Sequence, residues 1–274
     1  MKAAPQVPPY FDSLIDGFRR GQAGRCVHLG WWEPATQPPD DDFAGAQRRL
    51  DRRLIDAAAL SDGLQVLDAG CGFGGTLESI NAAFSGMLLA GVNVDPRQLQ
   101  ICGGLAPRNG NRLQWHEADA CALPFAAESF DRVLCIEAMF HFASRRAFFS
   151  EAARVLKPGG ALVGCDIALG PAGGLPGPEK GRIEATLRAA YGPWPDPWGG
   201  EGDHEALAAA ARLHPRWLMD ATAHTLPSHR FTAPAGDDDN GHNPARSAAI
   251  MLKRLHVQGV LRYRCFRFDK PLGP

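Results

Sequence analysis

Short apolar runs alternate with segments of helical periodicity through the middle of the chain. Leu64–Ala69, Met87–Asn93, Leu113–Asp119, Arg132–Ile136 and Ala161–Ile167 are each of strand length, and the stretches between them can be helical. That spacing predicts βαβ units and a parallel sheet. Start and stop signals sharpen it. Asp95-Pro96 offers an N-cap followed by a proline at the first helical position, where the missing N–H costs nothing. Ser144 caps a predicted helix over Arg145–Leu156 that stops at Lys157-Pro158-Gly159-Gly160. Asn243-Pro244 repeats the start signal before Ala245–Gln258, which carries Ile250, Leu252, Leu255 and Val257 and ends at Gly259. Trp217–Thr225 and Leu261–Asp269 are expected to be the last two strands. Within residues 170–202, 15 of 33 positions are Gly or Pro, too many for a regular element, and Trp194 and Trp198 fall in the second half. This stretch reads as an active-site lid or a structural insertion.

Composition bounds the picture. The 274 residues correspond to between one and two domains at roughly 150 residues each. The expected division is an N-terminal helical cap over 1–56, a ligand-binding core over 57–169, an insertion or lid over 170–216 and a C-terminal completion of the sheet over 217–274. With 29 basic against 30 acidic side chains, the chain has no net field to hold a polyanion, which argues against general binding to nucleic acid or a membrane surface. The seven cysteines include no C-x-x-C pair and read as reduced thiols. No apolar run approaches the length of a secretion signal or a membrane span. A cytoplasmic protein, monomer or homodimer, is expected.

The most informative segment is Val66-Leu67-Asp68-Ala69-Gly70-Cys71-Gly72-Phe73-Gly74-Gly75, a strand followed by a glycine loop that opens a helix. Gly70, Gly72 and Gly75 satisfy the dinucleotide pattern G-x-G-x-x-G, so an NAD(P) oxidoreductase is one reading. Asp68 discriminates. A carboxylate two residues before the first glycine repels a pyrophosphate but gains a charge-assisted hydrogen bond beside a ligand ammonium. S-adenosylmethionine (SAM) presents that ammonium and has no phosphate.

The same segment resembles the first motif of class I SAM-dependent methyltransferases, in a small-molecule branch that includes natural-product O- and C-methyltransferases. Later segments match in order. Ala90-Gly91-Val92-Asn93-Val94-Asp95 resembles the second motif, which implies that Asn93 meets the ribose hydroxyls and Val94 packs on adenine, although the family more often has an acid at the Asn93 position. Gln98 is a second ribose candidate. Glu117-Ala118-Asp119-Ala120 resembles the next motif, with Asp119 and the Ala120 backbone N–H on the adenine edge, and Phe130–Glu137 resembles the fourth strand, ending with Ile136 at the cofactor. The resemblance implies an α/β, Rossmann-like fold: a mostly parallel seven-stranded sheet with an N-terminal helical cap and an inserted lid-like segment. It also implies SAM as methyl donor, S-adenosylhomocysteine as product and a small-molecule acceptor.

Methyl transfer is an in-line displacement, so the protein chiefly aligns the acceptor and removes a proton where necessary. Glu137 and His141, after the fourth strand, are the candidate catalytic groups, and an imidazole suits a hydroxyl acceptor. The segment Ile136-Glu137-Ala138-Met139-Phe140-His141 is also similar to sterol C-methyltransferases, so C-methylation of an isoprenoid or other electron-rich carbon is the alternative. A catalytically silent SAM-fold protein is a third reading. Tyr10, Trp31, Trp32 and Phe140, with Trp194 and Trp198, are candidate acceptor contacts, and two adjacent tryptophans before a Pro-rich segment suggest that one faces a cleft. His204, His214, His224, His229, His242 and His256 crowd the C-terminal third beside Asp237-Asp238-Asp239. None of their spacings is a ligand motif, so no metal is expected.

Overall fold

A computed structural model describes residues 7–33, 42–170, 177–192, 203–233 and 243–273. Its sheet contains β1 (Gln65–Ala69), β2 (Leu88–Asn93), β3 (Arg112–Glu117), β4 (Phe130–Ile136), β5 (Leu156–Leu169), β6 (His214–Asp220) and β7 (Leu261–Asp269). The spatial order is β3-β2-β1-β4-β5-β7-β6. The first five strands run parallel, and β7 lies antiparallel between β5 and β6. The helices among the described residues are α1 (Tyr10–Arg19), α2 (Phe43–Ala58), α3 (Gly75–Ala83), α4 (Pro96–Cys102), α5 (Arg145–Val155), α6 (Gly177–Tyr191), α7 (His204–Ala210), α8 (Thr222–Thr225), α9 (His229–Thr232) and α10 (Pro244–Val257). This is the expected Rossmann-like class I methyltransferase architecture.

The inner strands β1, β2, β4 and β5 carry near-continuous apolar runs because both faces of the sheet are covered there, whereas β3, β6 and β7 alternate or are partly exposed. Val66, Leu134, Val163 and Tyr263 point to a core shared with Leu50 and Leu54 of α2, Leu77 of α3, Ile183 of α6 and Leu255 of α10. Leu67, Val133, Leu162 and Phe266 point the other way, onto Phe148 and Phe149 of α5 and Leu207 of α7. The local signals act as expected at three helix starts: Asp95 accepts from Arg97 N, Ser144 from Ala147 N and Asn243 from Arg246 N.

Three expectations are corrected. Residues 170–202 contain a regular element, the 15-residue α6. Gly and Pro cluster at 170–178 and 192–202 and leave only Gly181 between, so the average over the window hid a helix. The strand expected over Trp217–Thr225 is β6, shifted toward the N-terminus. The Asp220 side chain accepts from Thr222 N at 2.9 Å, which turns the chain into α8. The Lys157-Pro158-Gly159-Gly160 turn is absorbed into β5 as a bulge: Phe130 pairs with Leu156 and Arg132 with Ala161, and Gly159 takes a φ of 76°. Trp194 and Trp198 lie outside the described residues. The seven cysteines are free, and no helix among the described residues is long and apolar enough to cross a membrane.

Candidate active site

Reversal of strand order between β1 and β4 opens a crevice at the carboxyl ends of the strands, the usual ligand position of an open α/β sheet. A cavity of about 290 Å³ occupies it. Its floor is the glycine loop. Gly70 and Gly72 adopt φ of 81° and 52°, and a Cβ on Gly70 would stand 2.5 Å from Ala138 Cβ. Only glycine lets this turn form and lets bare backbone face a ligand. The loop is tied down by Gly70 N and Cys71 N, which both donate to Val92 O, at 2.9 and 3.0 Å.

Asn93, Val94, Gln98, Asp119, Ala120 and Ile136 line the same cavity. Asn93 Oδ1 accepts from Asp95 N at 3.0 Å, and its amide donates to Gln98 Oε1 at 3.1 Å. Gln98 is 2% exposed, yet its Nε2 has no hydrogen-bond partner. A buried amide donor without an acceptor is costly unless a ligand supplies one, and a ribose hydroxyl does. Asp119 Oδ1 accepts from Cys121 N at 2.8 Å, which holds the carboxylate at the cavity edge. The residues present therefore fit an adenosyl group.

Glu137 and His141 line the cavity as well. Glu137 has a left-handed φ of 52°, a conformation that costs on the order of 1–3 kcal/mol in a non-glycine residue and is over-determined here. Its backbone N–H donates to Cys165 O, while Oε2 accepts from Leu29 N at 2.8 Å and from Tyr263 OH at 2.7 Å. Burial pushes its carboxyl up from the ordinary range, against the opposing pull of His28 and these donors.

His141 Nδ1 lies 2.7 Å from Tyr191 O, and Nε2 lies 2.9 Å from Tyr10 OH. A carbonyl only accepts, so Nδ1 carries the proton and Nε2 presents a lone pair that the tyrosine hydroxyl fills. Burial pushes the imidazole down to about 4. The ring is thus neutral at physiological pH, with its basic nitrogen held by the Tyr10 hydroxyl and both residues on the cavity lining. Tyr10 belongs to α1, which lies across the opening with Phe11 and Leu14 also on the cavity wall. The exposed pair between Arg97 of α4 and Asp12 of α1, at 2.6 Å, joins the two rims, though exposed pairs stabilise little.

Asp68 lies on β1, 2% exposed and outside the cavity lining. Burial first, and Asp51 second, push its carboxyl up to about 7. His229 and His256, joined by a 2.9 Å contact between their rings, are pushed down by burial to about 4 and about 3. With His141, three imidazoles hold protons in the unfolded chain from about pH 6.5 downward but in the folded chain only near 3–4. The unfolded state binds more protons in that window, so stability falls as pH falls through it. Asp68 has the opposite sign, because folded chains keep its proton up to about pH 7. Glu137 and His28, also pushed up, share that sign. The three lowered imidazoles span most of the window from pH 7 to pH 5, while His28 is protonated in both states over much of it. Thermal melts should therefore show a small net loss, on the order of 2–5 °C, between pH 7 and pH 5. A melting temperature that rises on acidification would contradict this.

The aromatic candidates divide. Of them, Tyr10 lines the cavity, whereas Trp31, Trp32 and Phe140 are buried outside it, so neither tryptophan faces the cleft. Trp31 stacks on His224 at 3.7 Å with the Arg53 guanidinium 3.9 Å from its ring centroid. Trp32 Nε1 donates to Ser228 Oγ at 2.9 Å. Both anchor the N-terminal segment to the α8–α9 region. Phe140 packs against the His141 ring at 4.0 Å. Leu14, Val27 and Phe142 complete the wall, and the sequence reading missed them; the i,i+4 spacing of Tyr10 and Leu14 on an amphipathic α1 was the available signal. The C-terminal histidines scatter. His204 Nε2 contacts Asp166 at 3.0 Å, His224 stacks on Trp31, and His229 meets His256, while His242 and Asp237–Asp239 lie outside the described residues.

Comparison with known proteins agrees with this fold. A family profile described as "Methyltransferase domain" matches residues 67–164. The erythromycin 3''-O-methyltransferase of Saccharopolyspora erythraea is 35% identical over 163 residues, 57% of this chain and 51% of that enzyme. The O-methyltransferase rstn1 of Aspergillus nomiae is 31% identical over 178 residues, covering 64% of this chain and 76% of that protein. The chain spans 51 to 65% of the length of three curated relatives, the erythromycin enzyme among them. Among solved structures, the [4+2]-cyclase SpnF superposes with a TM-score of 0.73 at 20% identity, covering 96% of this chain and 95% of that one; this likeness speaks to the fold alone. By motif order, sheet topology and relatedness, this chain belongs to the class I SAM-dependent methyltransferase family.

Proposed function

We propose that this chain binds SAM in the β1/β4 crevice and methylates a hydroxyl group of a small secondary metabolite, releasing S-adenosylhomocysteine. The observation that carries the reading is His141: a neutral imidazole on the wall of the cavity shared with the glycine loop, whose unprotonated Nε2 is held by the hydroxyl of Tyr10, another lining residue. Bound SAM supplies a methyl group on a sulfonium, already activated for displacement. The chain's own residues do the rest. Gly70 and Gly72 admit the ligand to the backbone, Gln98 Nε2 and Asn93 meet the ribose hydroxyls, and Asp119 with the Ala120 N–H meets the adenine edge, between Val94 and Ile136. Asp68, the sequence candidate for a ligand ammonium, lies buried outside the cavity lining and makes no direct contact in this scheme. His141 Nε2 takes the acceptor proton, and the acceptor oxygen replaces the Tyr10 hydroxyl there. Pro8, Phe11, Leu14 and Phe142 offer an apolar wall, which suits an apolar or aromatic acceptor under a cap formed by residues 1–56. We place the reaction in the cytoplasm, with a single chain or a homodimer as the active form.

The Glu137 carboxylate on the same wall favours a second reading, because it would lie near positive charge that develops when a carbon is methylated. Calorimetric titration with SAM and with NADH, followed by labelled SAM with hydroxyl and olefin acceptors, tests the scheme. SAM should bind, and Asp119→Ala should weaken it by about 10- to 100-fold through loss of a buried hydrogen bond to the ligand. Tight NADH binding without SAM heat, or unchanged SAM affinity in the variant, would refute the corresponding assignment. Transfer only to the olefin would select the second reading.

A further inference from the structure

Behind the glycine loop, away from the cavity lining, the segment after α1 and the helix α2 bring a thiol, an imidazole and a carboxylate together. One ligand atom from each of Cys26, His28 and Asp51 lies within 4.8 Å of the other two. Asp51 Oδ2 is 3.3 Å from Cys26 Sγ, and Oδ1 is 3.4 Å from His28 Nε2. Ligands bound tetrahedrally to zinc at its usual bond lengths stand about 3.3–3.7 Å apart.

The surroundings are those of a built site. His28 Nδ1 faces Leu29 O at 2.8 Å, so Nδ1 carries a proton and Nε2 is the atom turned toward Asp51. That atom is buried without a hydrogen-bond partner, on a residue only 7% exposed. Asp51 Oδ1 accepts from Thr76 Oγ1 at 2.8 Å. An imidazole oriented by a backbone carbonyl and a carboxylate steadied by a hydroxyl are the outer contacts that fix metal ligands. Gln47 Nε2 donates to both Cys26 O and His28 O at 2.8 Å and so holds the backbone of two of the three. Cys26 is half-buried and leaves an entry from solvent. A proton on Nε2 is the rival occupant, forming an ion pair with Asp51. At 3.4 Å, however, that N–H meets Asp51 Oδ1 as an ion pair without a hydrogen bond, a weaker pairing for a buried donor.

We propose that Cys26, His28 and Asp51 bind a divalent ion of borderline softness, Zn²⁺, which ties the N-terminal segment and α2 to the start of α3. A nitrogen, sulfur and oxygen set selects zinc over the hard cations magnesium and calcium. Water completes the coordination from the Cys26 side.

The test uses the full chain, stripped with a chelator and titrated with Zn²⁺ alone and Co²⁺ alone, without SAM or acceptor, so its outcome is separate from that of the methyl-transfer reading. One Zn²⁺ per chain is expected, with thiolate-to-cobalt charge-transfer absorption that disappears in Cys26→Ser and persists in Cys121→Ser. Thr76→Val should weaken zinc binding about 10-fold or more. In the unmodified protein, Zn²⁺ should protect Cys26 from alkylation, read by peptide mass spectrometry, which removes dependence on the folding of any variant. No stoichiometric binding, undiminished binding in Cys26→Ser, or alkylation of Cys26 at the same rate with and without Zn²⁺ would each overturn the proposal.

Discussion

His141→Gln should lower the turnover number for methyl transfer to a hydroxyl acceptor by about 10²- to 10⁴-fold, the range for loss of a positioned general base, while SAM affinity stays within a few-fold. The separation follows from geometry. His141 makes its two polar contacts to Tyr191 O and Tyr10 OH, and neither is to the ribose and adenine candidates Asn93, Gln98 and Asp119. The pH profile sharpens the expectation. An ordinary histidine base loses activity as pH falls through about 6.5, whereas an imidazole pushed down to about 4 by burial stays unprotonated. Activity limited by this group should therefore hold its plateau to about pH 5 and fall only below that, provided the fold survives. Tyr10→Phe removes the hydroxyl that fills Nε2. If that hydroxyl merely occupies the site, KM falls and kcat holds; if it passes the acceptor proton to Nε2, kcat falls with that of His141→Gln. Full turnover in His141→Gln across the pH range would remove the base assignment.

The largest effect on stability should come from Arg145→Met. Arg145, Asp166 and His204 are at most 1% exposed. The Arg145 Nε donates to Asp166 Oδ2 at 2.7 Å, its Nη2 donates to Ile167 O at 3.1 Å, and His204 Nε2 approaches the same Asp166 oxygen at 3.0 Å. The cluster joins α5, β5 and α7 within the second core. Removal of the guanidinium strands a carboxylate in an apolar interior, which costs about 3–5 kcal/mol. At roughly 2–4 °C per kcal/mol for a chain of this size, the melting temperature should drop on the order of 10 °C. The pair Arg145→Met with Asp166→Leu should recover part of that loss, since no buried charge is left over. A fall below about 1 kcal/mol in Arg145→Met, measured by denaturant unfolding, would show that water reaches Asp166.

The acid sensitivity expected from His141, His229 and His256 interacts with the activity profile. Melts and rates therefore need to be followed over the same pH series. A loss of activity that tracks unfolding has a different origin from one that tracks His141 protonation, and circular dichroism at each pH separates them.

What the sequence determined by itself is local. Asp95-Pro96, Ser144 and Asn243-Pro244 start helices because a cap needs only a side chain and a backbone N–H two or three residues on. The inner apolar runs become β1, β2, β4 and β5 because burial on both faces leaves little polar alternation to misread, and β7 is legible from its alternation. Asn93 and Asp119 reach the cavity because strand ends in a parallel α/β sheet converge there whatever the loops do, and Gln98 follows from the first turn of α4. Tertiary structure decided every pairing between distant residues. Tyr10 meets His141 across 131 positions and Tyr263 meets Glu137 across 126. Trp32 spends its N–H on Ser228, 196 residues away, which turns a cleft candidate into an anchor. The helix α6 was hidden by averaging over its glycine-rich flanks, and the Cys26, His28 and Asp51 cluster had no sequence spacing to announce it. The physical reason is common to all of these. Periodicity and capping are set within a turn or two of backbone, whereas the partner of a buried polar atom is chosen by which elements pack together, and that choice is made by the apolar faces of the whole sheet.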